Sequence, residues 1–238
     1  MSRNLLIAVM LGLAVPAVAA TAAAPIAEHE NEQEAQLITY AIVMIVKGDP
    51  EGAITRYLDP VIKRNSARYA ADPRRVYGSR TAAEALLYIA LATSEKRDAV
   101  IIGPTYGDAL FTKAFALVDL ARAAEARPLF EAAIALSPSN PRYLSELGNA
   151  YQTEKDWAKA LTIFENAATA ATLASPEPLR AQELARALRG QGYALTELVR
   201  LNESEAVYQR CLKLDPDDKM ARAELTFIAG LRAKSTPR

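Results

Sequence analysis

The sequence predicts an all-α protein: a solenoid of antiparallel helix pairs. Three observations carry that expectation. About a fifth of the 238 residues are Ala, aromatics are 7%, and Gly (10) and Pro (13) are sparse, which suits helices better than strands built from Val, Ile, Thr and aromatics. A pattern of small and aromatic residues recurs at a fixed spacing in the second half of the chain. A single Cys and a single His deprive most metal and nucleophile chemistry of its side chains.

Residues 1–19 read as a secretory signal. Arg3 supplies the positive start, residues 5–15 form an apolar run of 11, and Ala17-Val18-Ala19 is a small-residue cleavage site. Pro16 interrupts the run well short of the roughly 20 residues needed to cross a bilayer, so cleavage is expected, with the mature chain starting near Ala20. A lipid anchor needs a Cys at the cleavage point, and the sole Cys is Cys211. The expected location is therefore the periplasm or outside the cell, with no stable membrane insertion. Removing 1–19 leaves 27 basic against 28 acidic residues, a net charge of −1 that gives nucleic-acid binding no electrostatic basis. Cys211 has no partner for a disulfide and lies in an apolar run, so it is expected to be a small buried residue.

Residues 20–33 turn from Ala-rich to acidic and are expected to form a disordered stub, with His29 solvated within it. The next segment, 34–106, is less regular. Leu37, Ala41 and Met44, followed by Gly48-Asp49-Pro50, Ala53 and Tyr57, outline a degenerate helix pair, and Asp59-Pro60 restarts a helix toward Tyr69. A loop at 72–75 leads to one long helix expected from 81 to about 102. Two divergent pairs continuing the solenoid are expected here, with a separate small helical domain as the alternative.

The repeat is explicit from residue 107 onward. Ala126, Phe130, Ala133 and Pro138 align with Ala160, Phe164, Ala167 and Thr172 at an offset of 34 (160 − 126). The same spacing returns at Ser204, Tyr208, Cys211 and Pro216, displaced by 44 (204 − 160), so ten residues are inserted between the second and third units. Upstream of each set lies a second stripe at helical spacing: Leu110, Ala114 and Leu117; Leu144, Leu147, Gly148 and Tyr151; Leu188, Gly192 and Leu195. Such a helix pair cannot bury its apolar face alone, and stacking on the next pair completes the core. Gly148 and Gly192 are small where helices must approach closely.

Leu144-x-x-Leu147-Gly148-x-x-Tyr151, followed by Ala160, Phe164 and Ala167, resembles the tetratricopeptide repeat. The resemblance covers units 107–140, 141–174 and 185–218, and it implies a right-handed solenoid closed by 219–238 as C-terminal capping helix and tail. The first unit has Leu117 in place of the late aromatic and Pro128 inside its second helix; the third has Ser204 and Cys211 in place of Ala.

The resemblance implies that a polar stripe on the first helix of each unit lines a concave groove. In the middle unit that stripe is Arg142, Ser145, Asn149 and Gln152; the matching positions are Asp108, Phe111, Phe115 and Asp119, then Arg186, Arg189, Tyr193 and Thr196. Arg forks onto carboxylates, Asn holds peptide amides and aromatics bury apolar side chains. The candidate groove residues are thus Phe111, Phe115, Arg142, Asn149, Arg186, Arg189 and Tyr193. Some family members clamp a C-terminal carboxylate with Lys or Arg and Asn here, and Asn149, Arg186 and Arg189 resemble part of that clamp. No phosphate-binding loop or His-Glu-x-x-His motif is present, and a Ser or Cys nucleophile lacks a His base outside the stub. The expectation is a non-catalytic scaffold without cofactor, binding an acidic or carboxylate-terminated segment of a protein. The alternatives are a self-associating component of a cell-envelope assembly, through apolar residues around Ile42, Val43 and Ile45, and last a carboxylate-dependent enzyme.

Overall fold

The computed structural model describes residues 25–235, with side chains from 30 to 233. The expected signal segment and the side chain of His29 lie outside these. Helix α1 (Pro25–Val46) turns back into α2 (Pro50–Ala53), which runs through a π turn (Ile54–Leu58) into α3 (Asp59–Tyr69). Then come β1 (Arg75–Gly78), α4 (Ala82–Ser94) and β2 (Ala99–Ile102). Three helix pairs follow: α5 (Thr105–Asp119) with α6 (Ala123–Leu136), α7 (Pro141–Thr153) with α8 (Trp157–Ala174), and α9 (Leu179–Glu197) with α10 (Leu201–Leu214). Helix α11 (Lys219–Ser235) packs on α10 and α9 and closes the stack.

The predicted stripes are the buried faces. Ala114, Leu117, Leu144, Leu188 and Leu195 lie in the core beside Ala126, Ala133, Ala160 and Ala167 of the second helices. Ser204 replaces Ala without cost because its hydroxyl donates to the Gly192 carbonyl at 2.8 Å and pairs with the Thr196 hydroxyl at 2.7 Å. Cys211 is fully buried, and burial pushes its thiol up to about 11, away from reactivity at neutral pH. Close approach is achieved through aromatic rings. A Cβ on Gly148 would sit 2.7 Å from the Phe164 ring, one on Gly192 2.7 Å from the Tyr208 ring, and one on Gly190 2.2 Å from Phe164. Phe164 is therefore wedged between α7 and α9, linking two units. The ten inserted residues lengthen helices: α8 has 18 residues against 14 in α6, and α9 has 19 against 13 in α7.

Each first helix ends in the same way. Ala121, Lys155 and Val199 all adopt positive φ near 60°, and in each case the next residue donates to the carbonyl five back, such as Arg200 to Leu195 at 2.9 Å. Gly48 closes α1 with the same pattern, Asp49 donating to Met44 at 3.0 Å, which makes α1 with α2–α3 a further pair of the solenoid. At Val199 the conformation is carried by a β-branched residue whose side chain packs on little, being 77% exposed. Val199→Gly is expected to stabilise the fold by about 0.5–1 kcal/mol by relieving that strain. Thermal unfolding should show a raised Tm.

Two expectations for the first half need correcting. The acidic stub is helical from Pro25 onward, since Glu30 pairs with Arg68 on α3 at 2.6 Å and the Asn31 side-chain amide lies 2.8 Å from the Thr105 hydroxyl. Glu34 is buried among Arg64, Asn65 and Thr105, all bonded to its carboxylate. Segment 34–106 holds one helix pair rather than two, followed by a β-α-β excursion. The long helix expected from 81 to 102 stops at Ser94, Lys96 takes positive φ, and the β-branched run Val100-Ile101-Ile102 pairs in parallel with Val76, Tyr77 and Gly78. Tyr77 of β1 and Tyr88 of α4 stack at 5.2 Å.

Candidate functional site

The β-α-β excursion is pinned along the edge of the solenoid where successive units join. Ser137, between α6 and α7, donates to the Gly78 carbonyl at 2.7 Å, and Thr81, the N-cap of α4, donates to the Ala174 carbonyl at 2.9 Å. Between these bonds Arg80 is held in a buried ion triad. Its guanidinium reaches Glu84 at 2.6 Å and Glu183, on the lengthened start of α9, at 2.6 Å; Glu84 is 0% exposed and Arg80 12%. Burial pulls the Arg80 pKa down, but the bonds to Glu84 and Glu183 outweigh it and hold the guanidinium above its ordinary range.

Beside this triad the first turns of α5, α7 and α9 enclose a cleft of about 320 Å³. Arg142 projects from α7, its guanidinium 2.8 Å from Asp108 and 4.6 Å over the centre of the Phe111 ring. Arg186 enters from α9 and pairs with Glu146. Burial, together with the neighbouring Arg142 and Arg189 cations, draws its pKa below the usual guanidinium value. The Ser145 hydroxyl also lines the cleft and is buried with no hydrogen-bond partner. An orphan hydroxyl between two guanidinium groups offers a donor where an anionic oxygen could sit.

Of the seven candidate groove residues, Arg142 and Arg186 meet in this cleft. The others do not. Phe111 is 4% exposed, stacked on Tyr143 at 4.5 Å and covered by Arg142, so it is core between units rather than a ligand contact. Phe115 is half-buried edge-on to Phe111 and Phe130. Asn149 donates to Glu146 on its own helix at 3.1 Å. Arg189 turns toward the buried Asp218 at 2.8 Å, whose other carboxylate oxygen caps the start of α11 by accepting from Ala221, so its work is structural. Tyr193 stays on the surface, edge-on to Trp157 at 5.9 Å. Sequence reasoning missed Arg80 and Glu183, whose contact spans 103 positions and leaves no local trace.

One family model, that of the tetratricopeptide repeat, matches residues 185–218, the span of the third unit. The third unit is thus a tetratricopeptide repeat, and the chain resembles that family. Among solved structures similar to this chain, Pseudomonas aeruginosa PilF aligns with a TM-score of 0.57 at 14% identity, over 87% of this chain and 72% of PilF. MamA of Desulfovibrio magneticus RS-1 gives 0.45 at 18% identity, over 86% and 97%. The first tetratricopeptide domain of Spaghetti (RPAP3), solved with an HSP90 peptide, gives 0.45 at 24% identity, over 53% and 93%. No curated protein matches the chain. The PilF likeness establishes the tetratricopeptide-repeat fold and nothing beyond it. Among the described residues, no helix is long and apolar enough to cross a membrane.

Proposed function

We propose that the chain is a non-catalytic, exported scaffold that holds an extended segment of another protein on its concave face, with an acidic side chain or C-terminal carboxylate of that segment in the cleft between Arg142 and Arg186. The observation that carries this reading is the buried, unpartnered Ser145 hydroxyl in a cleft flanked by those two guanidinium groups. A carboxylate entering there accepts from Ser145 and forks onto Arg142 or Arg186, which exchange part of their present pairing with Asp108 and Glu146. The resident carboxylates speak against acid–base chemistry, because Asp108, Glu146 and Glu183 are each already paired with a guanidinium. Export rests on the signal-like start of the sequence.

The test uses two labelled acidic hexapeptides, one with a free C-terminal carboxylate and one amidated, titrated by fluorescence anisotropy. Binding to the wild-type chain should weaken with added salt, since exposed charges are screened over about 8 Å at physiological ionic strength. Arg142→Gln with Arg186→Gln should weaken it at least tenfold while leaving the circular dichroism spectrum unchanged. Comparing the two peptides distinguishes a terminal carboxylate from an acidic side chain. Equal affinity of wild type and double variant would overturn the reading. Arg189 is left intact, since its removal would strip Asp218 of its partner and loosen α11.

A further inference from the structure

Up to its last turn, where Thr93 and Ser94 are exposed, helix α4 is apolar on every side yet lies on the surface. Its inner face, Tyr88, Leu91 and Ala92, packs over Tyr77, Ala99 and Ile101 of the strands. Its outer face presents Ala82, Ala83, Leu86, Leu87 and Ala90 to solvent, with Leu86 68% exposed. The helix carries one charged residue, Glu84, which is wholly buried against Arg80. Among the described residues every other helix of eight or more residues shows water at least one partly exposed charge. A helix that is hydrophobic all round belongs in an interior, so this face lacks its cover.

The pattern on the outer face indicates what the cover is. Ala83, Leu86, Leu87 and Ala90 stand at i, i+3, i+4 and i+7, the four corners of a hole on a helix surface, and their order reads the same from either end. A two-fold axis between residues 86 and 87 sets Ala83 against Ala90 and Leu86 against Leu87 of a second, antiparallel copy of the helix. Small then meets small, large meets large, and each Leu seats beside the Ala of its counterpart. Such self-complementarity is what an isologous interface requires. Charge supports the same occupant. The face carries none, so two copies meet without repulsion, whereas a charged partner finds nothing to pair with. The apolar residues of α1, by contrast, share their exposed surface with Glu32 and Gln36. We propose that this face binds a second copy of the chain, giving a two-fold dimer with antiparallel α4 helices at its centre. The cleft at Arg142 is not part of this contact.

Sedimentation equilibrium of the wild-type chain should show a monomer–dimer equilibrium, and Leu86→Glu with Leu87→Glu should leave only monomer, with the helical signal unchanged. Geometry is tested separately by cysteine pairing. An equimolar mixture of Ala83→Cys and Ala90→Cys chains should form a disulfide-linked dimer at least tenfold faster than either variant alone, because the antiparallel register sets 83 opposite 90. Cys211 is buried and does not interfere. A wild-type chain that is monomeric at every concentration, a dimer that survives both Glu substitutions, or equal cross-linking in the mixed and separate samples would overturn the proposal. The cysteine experiment stands even if the Glu variants fail to fold.

Discussion

Arg80→Ala is expected to destabilise the protein by about 3–5 kcal/mol, the usual consequence of stripping one partner from a buried ion pair. The cause lies in what remains. Glu84 has no exposure to water, and both its carboxylate oxygens are engaged by Arg80, one by the guanidinium at 2.6 Å and the other by the backbone N–H at 2.7 Å. Without the guanidinium, a carboxylate would stay buried with a single N–H for company, and Glu183 would lose its bond as well. Urea unfolding followed by circular dichroism measures the loss directly. The paired replacement Arg80→Met with Glu84→Gln should recover part of it, because the wholly buried position 84 then carries no charge and Gln can still accept from the Arg80-position N–H, while Glu183 keeps only its bond from the Ser175 hydroxyl. An unchanged urea midpoint for Arg80→Ala would mean that the triad does not hold the β-α-β excursion to the solenoid.

Phe164→Ala should cost a similar amount, about 3–5 kcal/mol, since it empties a ring-sized space at the joint of two units. The ring is 1% exposed and sits against the bare backbones of Gly148 and Gly190. The same geometry makes the glycines intolerant. Gly148→Leu in the wild-type chain overpacks the joint and should cost about 1–3 kcal/mol. In a Phe164→Ala background the added side chain enters the vacated space, so the two changes together should destabilise less than the sum of the separate effects. Additive losses in thermal unfolding would show that Phe164 and Gly148 do not share that space.

How much of this was legible follows from how far each contact reaches along the chain. The stripes at Leu144, Gly148, Ala160 and Phe164 repeat locally, every three or four residues, so the register and the helix pairs could be written down in advance. Gly190 could not be singled out, because its neighbour is a ring 26 positions away (190 − 164) whose second contact the spacing does not encode. The strands were missed because Ala99–Ile102 is a short apolar run, and after an apolar helix such a run reads equally as more helix. At the cleft, Arg142 and Arg186 followed from the repeat register. Phe111 occupies the matching register position and is nevertheless core, since Tyr143 one residue along from Arg142 stacks on it and Arg142 folds over the top. Arg189 shares the stripe with Arg186, but one turn further along the helix it meets Asp218, whose cap on α11 holds it.

The bolt that Arg80 forms with Glu183 changes what kind of spring this solenoid is. In a plain array each unit touches only its neighbours, so ends fray first and the middle opens unit by unit. Here residues 78–88 are tied in turn to Ser137, Ser139, Ala174 and Glu183, joining the edges of three successive units through one strut. Uncoiling any one of those units stretches the strut against the other two. The three should therefore open together, with slow amide exchange spread evenly across α5 to α9, and the stack of units keeps a fixed pitch that a free run of repeats would let flex.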